Sequence, residues 1–240
     1  MRLDNYLAEK NKVRSRSEAA NLIKLGAVLV NGVKASKPSM QIDTANPPTI
    51  QINLENYASI GALKLKAALD NWQVELKDKV ALDIGASAGG FTSLMLMRGA
   101  SKVYAVDIGK GLLREELARD KRVISIENTN VRQLSKECIK EACDIITVDL
   151  SFISLKLVLG NLKQFLSGSG ALIALIKPQF ELGAHALNKQ GIVKDHEQAL
   201  LAAESIKEYA LECGYKVKGV IPAPLDFPKK NKEYLIYLTL

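Results

Sequence analysis

The chain has 240 residues, of which 48% are hydrophobic and 25% charged, as is typical of a soluble globular protein with its own core. Its net charge is +7, and residues 1–50 hold eight basic and four acidic side chains, which indicates a local basic patch that faces a polyanion. The first residues lack the apolar core of a signal peptide, and no run approaches the roughly 20 apolar residues of a membrane span, so we expect a cytoplasmic protein without stable membrane association.

The N-terminal segment predicts a small α+β unit. Residues 2–9 and the segment SRSEAANLIKLG each predict an amphipathic helix, and the second begins at the capping-box pair Ser15 and Glu18. The segment AVLVNGVKA then predicts a β-hairpin with Asn31 and Gly32 as its turn. The candidate RNA-binding residues on the polar surface of this unit are Arg2, Arg14, Arg16 and Lys24.

The rest of the chain alternates between helix and strand patterns. Prolines punctuate residues 38–60, and we place a linker at residues 46–60. From residue 61 onward, short strands that are apolar on both faces predict a doubly wound, Rossmann-like α/β fold with a parallel sheet. The predicted strands are KVALDIG, KVYAVDIG, RVISIENTN, CDIITVDLS, GALIALIKP, YKVKGVIPA and NKEYLIYLTL. The predicted helices are ALKLKAALDNWQV, FTSLMLMRG, LLREELARD, LKLVLGNLKQFL and EQALLAAESIKEYALECG.

A glycine-rich turn joins the first of these strands directly to a helix. Gly85, Gly89 and Gly90 allow the backbone to turn tightly and to approach a ligand. Their spacing departs from the G-x-G-x-x-G pattern of NAD-binding turns, and Asp83 just before them would repel a pyrophosphate but suits a cationic amino-acid head group. The turn alone leaves open a dinucleotide site and a turn that binds nothing.

A second acid narrows the choice of ligand. Asp107 ends the strand VYAVD, where a carboxylate can accept both hydroxyls of an adenosine ribose. Adenosine with a positively charged tail describes S-adenosylmethionine, which we predict as the cofactor. Asn130, after the third strand, is a candidate for the adenine end, with a loop-capping asparagine as the alternative. The predicted cofactor-binding residues are Asp83, Gly85, Ser87, Gly89, Gly90, Phe91, Asp107, Asn130 and Asp149.

Two further strands end on charged residues. Asp149 follows the apolar strand CDIITV, and Lys177 follows LIALI, so both lie at the sheet edge where ligands bind in such folds. A lysine with its ordinary pKa of about 10.4 is protonated, and burial or neighbouring cations are needed to make it a base. Lys64 is a candidate second cation, and Asp149 and Glu233 would orient the lysines. A strand-tip lysine that is merely solvated is the alternative.

These segments resemble a known family. GALKL, DIGASAGGFT, VDLSFISL, LIKPQFE, GIVKDH and NKEYLIYL, in this order, are similar to the TlyA (hemolysin A) family over essentially the whole chain. Its members are ribosomal RNA cytidine 2′-O-methyltransferases with an S4-like RNA-binding domain before an FtsJ-like catalytic domain. The resemblance implies an S4-like domain at residues 1–45 and a catalytic domain at residues 61–240.

The resemblance also implies a catalytic set. Its members here are Lys64, Asp149, Lys177 and Glu233. Lys177 would be the activating base, and Asp149 would position it. Lys66 is the rival for Lys64, but the S-x-G-A-x-K spacing that begins at Ser59 favours Lys64.

Two segments depart from the family pattern. Ile60 stands where the family usually has an arginine, and DFPKKNKEY replaces a G-x-x-G-N loop before the last acid. The implied partners are ribosomal RNA and ribosomal subunits, and the short termini favour the members that modify only the large-subunit site. We expect a monomer or a weak dimer.

Three other functions compete with this one. A non-catalytic, ribosome-associated RNA-binding protein would lack part of the catalytic set, which is complete here. A membrane-active hemolysin needs an amphipathic element that inserts into lipid, but the predicted helix over residues 197–212 carries glutamates on its polar face. An NAD-dependent enzyme is disfavoured by the glycine spacing.

The cysteines and histidines predict neither a disulfide framework nor a metal site. Cys138, Cys143 and Cys213 are odd in number and form no C-x-x-C pair, which fits free thiols in a reducing cytosol. His185 and His196 are far apart and lack partners at ligand spacing, so we interpret them as loop or surface residues.

Overall fold

The structure is a computed structural model that describes residues 1–10, 12–13, 15–24, 26–52, 59, 61–224 and 230–240. The chain divides into two compact units, Met1–Ile60 and Gly61–Leu240. Three positions that the sequence singles out lie outside the described residues: Arg14, Ile60 and most of the DFPKK segment, at residues 226–229.

The first unit packs two short helices against a small antiparallel sheet. Its elements are α1 (Leu3–Glu9), α2 (Arg16–Lys24), β1 (Val28–Val30), β2 (Val33–Lys34) and β3 (Ile50–Ile52). The Ser15 hydroxyl accepts a hydrogen bond from the Glu18 amide at 3.1 Å, as the capping-box spacing predicts. The core is formed by the apolar side chains of Leu3, Leu7, Leu22, Ile23 and Val28, among others.

A third strand pairs with the hairpin of this unit. Asn31 and Gly32 both have positive φ and form the tight turn between β1 and β2. β3 pairs with the other edge of β1, and the Asn31 side chain accepts a hydrogen bond from the Thr49 amide at 2.9 Å. The segment interpreted as a linker from its prolines therefore contains a strand of the small sheet.

The second unit contains the α/β fold that the sequence predicts. Its described strands are β4 (Val80–Ile84), β5 (Lys102–Val106), β6 (Val123–Ile126), β7 (Cys143–Val148), β8 (Leu166–Ile176), β9 (Lys216–Pro222) and β10 (Tyr234–Thr239). Its described α-helices are α3 (Ala62–Trp72), α4 (Gly90–Met97), α5 (Glu115–Ala118), α6 (Leu159–Leu162), α7 (Pro178–Glu181) and α8 (His196–Glu212).

Within the described part of this unit, the strands form one sheet in the order β6-β5-β4-β7-β8-β10-β9. Neighbours from β6 to β8 pair in parallel, as predicted, but β10 is antiparallel to both β8 and β9. The connection from β9 to β10 is residues 223–233, which is short for the helical crossover that parallel neighbours require. The chain therefore turns back, and β10 inserts between two earlier strands.

Helices cover both faces of the sheet. On one face α8 buries Ala199, Ala203 and Ile206 in the main core, in the same cluster as Ile236 of β10. On the other face Trp72 at the end of α3 stacks on Tyr237, with ring centroids 5.1 Å apart. The sheet thus covers the alanine and isoleucine positions of α8, while Leu200, Leu201 and Leu211 of this helix are exposed. No helix among the described residues is long and apolar enough to cross a membrane.

Two predicted helices are shorter than their sequence pattern suggests. The segment from Leu155 to Phe165 is broken into 3-10 turns at both ends around the single α-turn of α6. Gly160 and Asn161, both weak helix formers, lie within that turn. The segment LLREELARD yields only α5, because residues 111–114 form a loop before it.

Candidate active site

A cavity of about 540 Å³ opens at the carboxyl edge of the parallel strands. The loops after β4, β5, β6 and β7 contribute to its wall, so it lies where ligands bind in open α/β sheets. The polar residues of the wall include Ser87, Asp107, Thr129, Asn130, Arg132, Asp149 and Ser151. Its apolar residues include Ile84, Val106, Ile108, Leu112, Val131, Leu150, Phe152 and Ile153.

Asp107 is fixed in the cavity wall by backbone amides. One carboxylate oxygen accepts from the Ser87 amide at 2.8 Å, and the other accepts from the Gly109 amide at 2.8 Å. Each oxygen retains acceptor capacity beyond these bonds. The carboxylate is therefore oriented to accept hydrogen bonds from a diol in the cavity.

Two of the predicted glycines are required by their backbone conformation, and at one of them another part of the chain also packs against the backbone. Gly85 has φ of +81°, and a Cβ added there would lie 2.4 Å from the carbonyl oxygen of Asp149. Gly89 has φ of +89°, and its added Cβ would lie 2.2 Å from Leu117 Cδ1. Contact with the backbone thus excludes a side chain at Gly85, whereas at Gly89 the neighbour is the flexible end of Leu117 and the positive φ is the main reason for glycine.

Asp83 lies beneath the glycine turn rather than in the cavity wall. It is fully buried, and its carboxylate accepts hydrogen bonds from the hydroxyls of Thr92 at 2.6 Å and Thr147 at 2.9 Å. Burial raises the pKa of Asp83 to about 6, although the two hydroxyl bonds oppose the increase. The structure gives this acid a role in holding β4, α4 and β7 together under the turn.

The predicted cofactor residues divide into two groups. Gly85, Ser87, Asp107, Asn130 and Asp149 line the cavity. The other four, all of them buried, do not line it: Asp83, Gly89, Gly90 and Phe91.

Sequence reasoning missed part of the apolar wall. Ile108 is 70% exposed and Phe152 is 90% exposed, which is unusual for large apolar side chains. Phe152 also has a positive φ of 65° and lies 5.1 Å from the Phe180 ring, centroid to centroid. Both residues follow a strand-tip acid closely, and that position was the signal that could have identified them.

Two lysine–carboxylate pairs stand at the same edge of the sheet. Lys177 Nζ lies 2.6 Å from Asp149 Oδ1, and it donates to the Ser151 hydroxyl at 3.0 Å. Lys64 Nζ lies 2.5 Å from Glu233 Oε2, and both side chains are largely shielded from solvent. Lys66, the rival of Lys64, instead pairs with Asp70 at 2.7 Å on the exposed side of α3.

The strand order explains why these residues converge. Asp149 follows β7 and Lys177 follows β8, and these strands are parallel neighbours. Because β10 is antiparallel, its beginning lies at the edge where β7 and β8 end, and Tyr234 pairs with Ile176. Glu233, one residue earlier, is thereby brought beside Lys177, while Lys64 reaches Glu233 from α3.

Hydrogen bonds also connect the loops that carry these groups. The Glu181 carboxylate accepts from the Ser154 hydroxyl at 2.5 Å and from the Leu155 amide at 2.9 Å, so the segments after β7 and β8 are joined. Asn231 bonds the Val193 amide at 2.8 Å and the Gly191 carbonyl at 2.9 Å. The chain just before Glu233 is therefore held by the loop before α8.

The first unit organises two of its predicted RNA-binding arginines around one buried acid. Arg2 donates two hydrogen bonds to Asp4, at 2.9 and 2.8 Å, and Arg16 donates a third at 3.0 Å. These bonds lower the pKa of Asp4 to about 2, and the bond from Arg2 has the largest effect. Lys24 is exposed near the end of α2. The cluster of Arg2, Arg16 and Asp4 keeps a net positive charge.

Comparison with known proteins identifies the family of this chain. Residues 57–240 match the FtsJ-like methyltransferase family, and residues 1–45 match the S4 domain. The chain is 37% identical to the 16S/23S rRNA (cytidine-2′-O)-methyltransferase TlyA of Mycobacterium tuberculosis, over 99% of this chain and 89% of that protein. It is 36% identical to Hemolysin A of Brachyspira hyodysenteriae, over the full length of both chains.

A solved structure shares both the fold and the sequence pattern. It is a protein from Streptococcus thermophilus described as a hemolysin, with a TM-score of 0.77 and 34% identity, over 99% of this chain and 87% of that chain. The family match covers the unit that holds the cavity and both ion pairs. The chain therefore belongs to the FtsJ-like methyltransferase family, as an S-adenosylmethionine-dependent enzyme that carries an S4 domain before its catalytic unit.

Proposed function

We propose that this protein transfers a methyl group from S-adenosylmethionine to the ribose 2′-hydroxyl of a cytidine in ribosomal RNA. The observation that carries the proposal is the pair of lysine–carboxylate contacts beside the cavity, Lys177 with Asp149 and Lys64 with Glu233. A set of two amines and two acids suits the activation of a weakly acidic hydroxyl.

The cavity fits the methyl donor in size and chemistry. Its volume of about 540 Å³ lies within the usual range for small-molecule sites. Asp107 offers carboxylate oxygens to the ribose hydroxyls, and Ile108, Leu112 and Val131 offer apolar surface to the adenine ring. When bound there, S-adenosylmethionine supplies a methyl group on a positively charged sulfur, which leaves as a neutral thioether.

The residues beside the cavity would activate the acceptor. Lys177, in its neutral form, takes the proton from the 2′-hydroxyl as that oxygen forms its bond to the methyl carbon. Asp149 fixes the Lys177 amine, and the Ser151 hydroxyl holds it from a second direction. Lys64 and Glu233 orient the target ribose, so that much of the rate acceleration comes from alignment.

Ribosomal RNA is the proposed substrate for two reasons. The S4 domain carries the positively charged cluster of Arg2, Arg16 and Asp4, which suits a phosphate backbone. The TlyA relative from M. tuberculosis is named for cytidines of 16S and 23S rRNA. We expect the protein to act on ribosomal subunits in the cytoplasm, as a monomer or a weak dimer.

A lysine substitution tests the proposed chemistry. Lys177→Ala should abolish methyl transfer, because the proton acceptor is removed, while the affinity for S-adenosylmethionine stays within about twofold. Transfer of radiolabelled methyl groups to ribosomal subunits and isothermal titration calorimetry measure the two quantities. Lys66→Ala, which removes a lysine paired with Asp70, is the matched control and should methylate normally.

The modified nucleotide gives the second readout. Mass spectrometry of the methylated rRNA should locate 2′-O-methylcytidine and show whether the small subunit, the large subunit or both are modified. Normal transfer by Lys177→Ala, or a methyl group on a base instead of a ribose, would contradict the proposal.

A further inference from the structure

A second cavity, of about 460 Å³, lies between the beginning of α8 and the beginning of β10. Its wall includes His196, Leu200, Pro222, Lys232, Glu233 and Tyr234. It therefore shares Glu233 with the proposed catalytic set but contains none of the residues that line the S-adenosylmethionine cavity.

Tyr234 is the unusual residue of this wall. Its side chain is 5% exposed, and its buried hydroxyl has no hydrogen-bond partner among the described residues. A buried polar group without a partner is costly, and native proteins rarely retain one without a reason. The hydroxyl is covered by surrounding atoms, so a molecule in the cavity supplies the missing partner only when the Tyr234 side chain turns towards it.

Tyr234 and its neighbour Glu233 face opposite sides of the sheet. Successive residues of β10 point to opposite faces of the sheet. Glu233 pairs with Lys64 of α3, whereas Tyr234 belongs to the core cluster on the face that α8 covers. The second cavity thus adjoins the reaction centre from the α8 side.

The charges and surfaces of the wall suit a nucleotide. Lys232 is exposed and makes no ion pair with any residue that the structure describes, and His196 is also exposed. The negative charge of Glu233 is already balanced by Lys64 at 2.5 Å. Leu200 and Pro222 add apolar surface, against which a base can pack.

We propose that this cavity binds a nucleotide of the substrate RNA next to the one that is methylated, with the Tyr234 hydroxyl bonded to that nucleotide and Lys232 near its phosphate. The inference rests on the proposed function, because it needs an RNA strand at Glu233. Proteins commonly read single-stranded RNA through unstacked bases held in such pockets. The site would give the enzyme a preference for the sequence around its target.

The test uses a substitution that removes one oxygen atom. Tyr234→Phe keeps the ring and should raise the KM for ribosomal subunits about two- to tenfold, the change that the loss of one hydrogen bond brings. The affinity for S-adenosylmethionine should not change. The melting temperature should stay equal or rise, because the deleted hydroxyl has no partner among the described residues. Lys232→Gln should raise the KM independently.

Tyr237→Phe is the matched control, since it removes a hydroxyl from the same strand on the opposite face, where Tyr237 stacks on Trp72. Its KM should equal that of the wild type. If Tyr234→Phe behaves like Tyr237→Phe while the wild type methylates rRNA, the second cavity holds no nucleotide and only this inference is overturned. If the wild type itself transfers no methyl group to rRNA, the proposed function fails and this inference fails with it.

Discussion

Asp83 illustrates how burial changes what a single carboxylate does. The sequence places it at a strand tip, where it would meet a cationic ligand. The structure places it under the glycine turn, with both oxygens bonded to threonine hydroxyls and a pKa raised to about 6. At neutral pH the charged Asp83 therefore lowers the free energy of unfolding by on the order of 3 kcal/mol, relative to an aspartate whose pKa is the same in the folded and unfolded states.

This burial predicts a pH dependence of stability. Between about pH 4 and pH 6 the folded protein holds the Asp83 proton more tightly than the unfolded chain, so its contribution to the free energy of unfolding falls as the pH rises. Asp83→Asn has no proton to lose, and its melting temperature should gain on that of the wild type between pH 4 and pH 7. Thermal unfolding across this pH range measures the difference.

Asp70→Asn is a control for which the stability difference from the wild type should change with pH in the opposite direction. Lys66, and then Arg98, lower the pKa of Asp70, so the advantage of the wild type over this variant should shrink as the pH falls. Parallel melting curves for the wild type and Asp83→Asn at every pH would refute the account of Asp83.

The sequence could predict which residues gather at the site, but not every contact they make. The strand-tip positions of Asp149 and Lys177 follow from apolar strands that end on a charge. The choice of Lys64 over Lys66 needed the family spacing, and the structure shows the physical difference, since only Lys64 reaches Glu233. The hydrogen bonds that hold the buried Asp83 come from Thr92, in the same glycine-rich segment, and from Thr147, which is distant in sequence, and neither threonine was singled out by its pattern.

At the scale of elements, the residues that follow β4 and β7, at the tips of these strands, are in close contact at Gly85. The carbonyl of Asp149 occupies the space where a side chain at position 85 would be. Gly85→Ala should push these two tips apart, because it combines a left-handed backbone with a Cβ only 2.4 Å from that carbonyl oxygen. We expect the free energy of unfolding to fall by about 2–4 kcal/mol and the affinity for S-adenosylmethionine to fall at least about tenfold.

Gly191→Ala is the control that measures backbone strain without the steric overlap expected at position 85. Gly191 has φ of +73°, but a Cβ added there meets no atom within 4 Å. Its cost should be about 1 kcal/mol, with cofactor affinity unchanged. Denaturant unfolding and calorimetry compare the variants, and equal effects at the two glycines would show that the contact between the tips is unimportant.

Element prediction succeeded where local pattern and tertiary packing agree. The apolar strands β4, β5, β7 and β8 are confirmed because each is continuous in sequence and largely buried in the sheet. The edge strand β6 is also confirmed, although its residues are partly exposed. The strand β3 was missed because its three residues are half-exposed and follow two prolines, so pairing with β1 alone defines it. The antiparallel direction of β10 was also missed, since no periodicity in the strand itself records its direction.

At the scale of the whole molecule, an S4 domain joined to a catalytic unit predicts binding that depends on salt. Arg16→Gln together with Lys24→Gln removes two cations from the first unit and leaves Arg2 on the buried Asp4. RNA affinity should fall, and the slope of log affinity against log salt should become shallower by about 2, roughly one for each phosphate that the variant no longer neutralises. Filter binding of ribosomal RNA over a potassium chloride series measures the slope.

Lys77→Gln together with Lys121→Gln removes the same net charge from exposed positions in the second unit. This double variant should keep the wild-type slope. If both double variants bind RNA equally weakly, overall charge rather than the patch on the S4 domain governs binding.

The place of β10 in the sheet has a consequence for biosynthesis. β8 and β9 are both made before the strand that lies between them. Until β10 emerges, each of them presents an unpaired edge that can stick to other chains. Glu233 and the strand that completes the sheet are thus made together. Until then a nascent chain lacks one member of the proposed catalytic set and exposes two strand edges that favour aggregation.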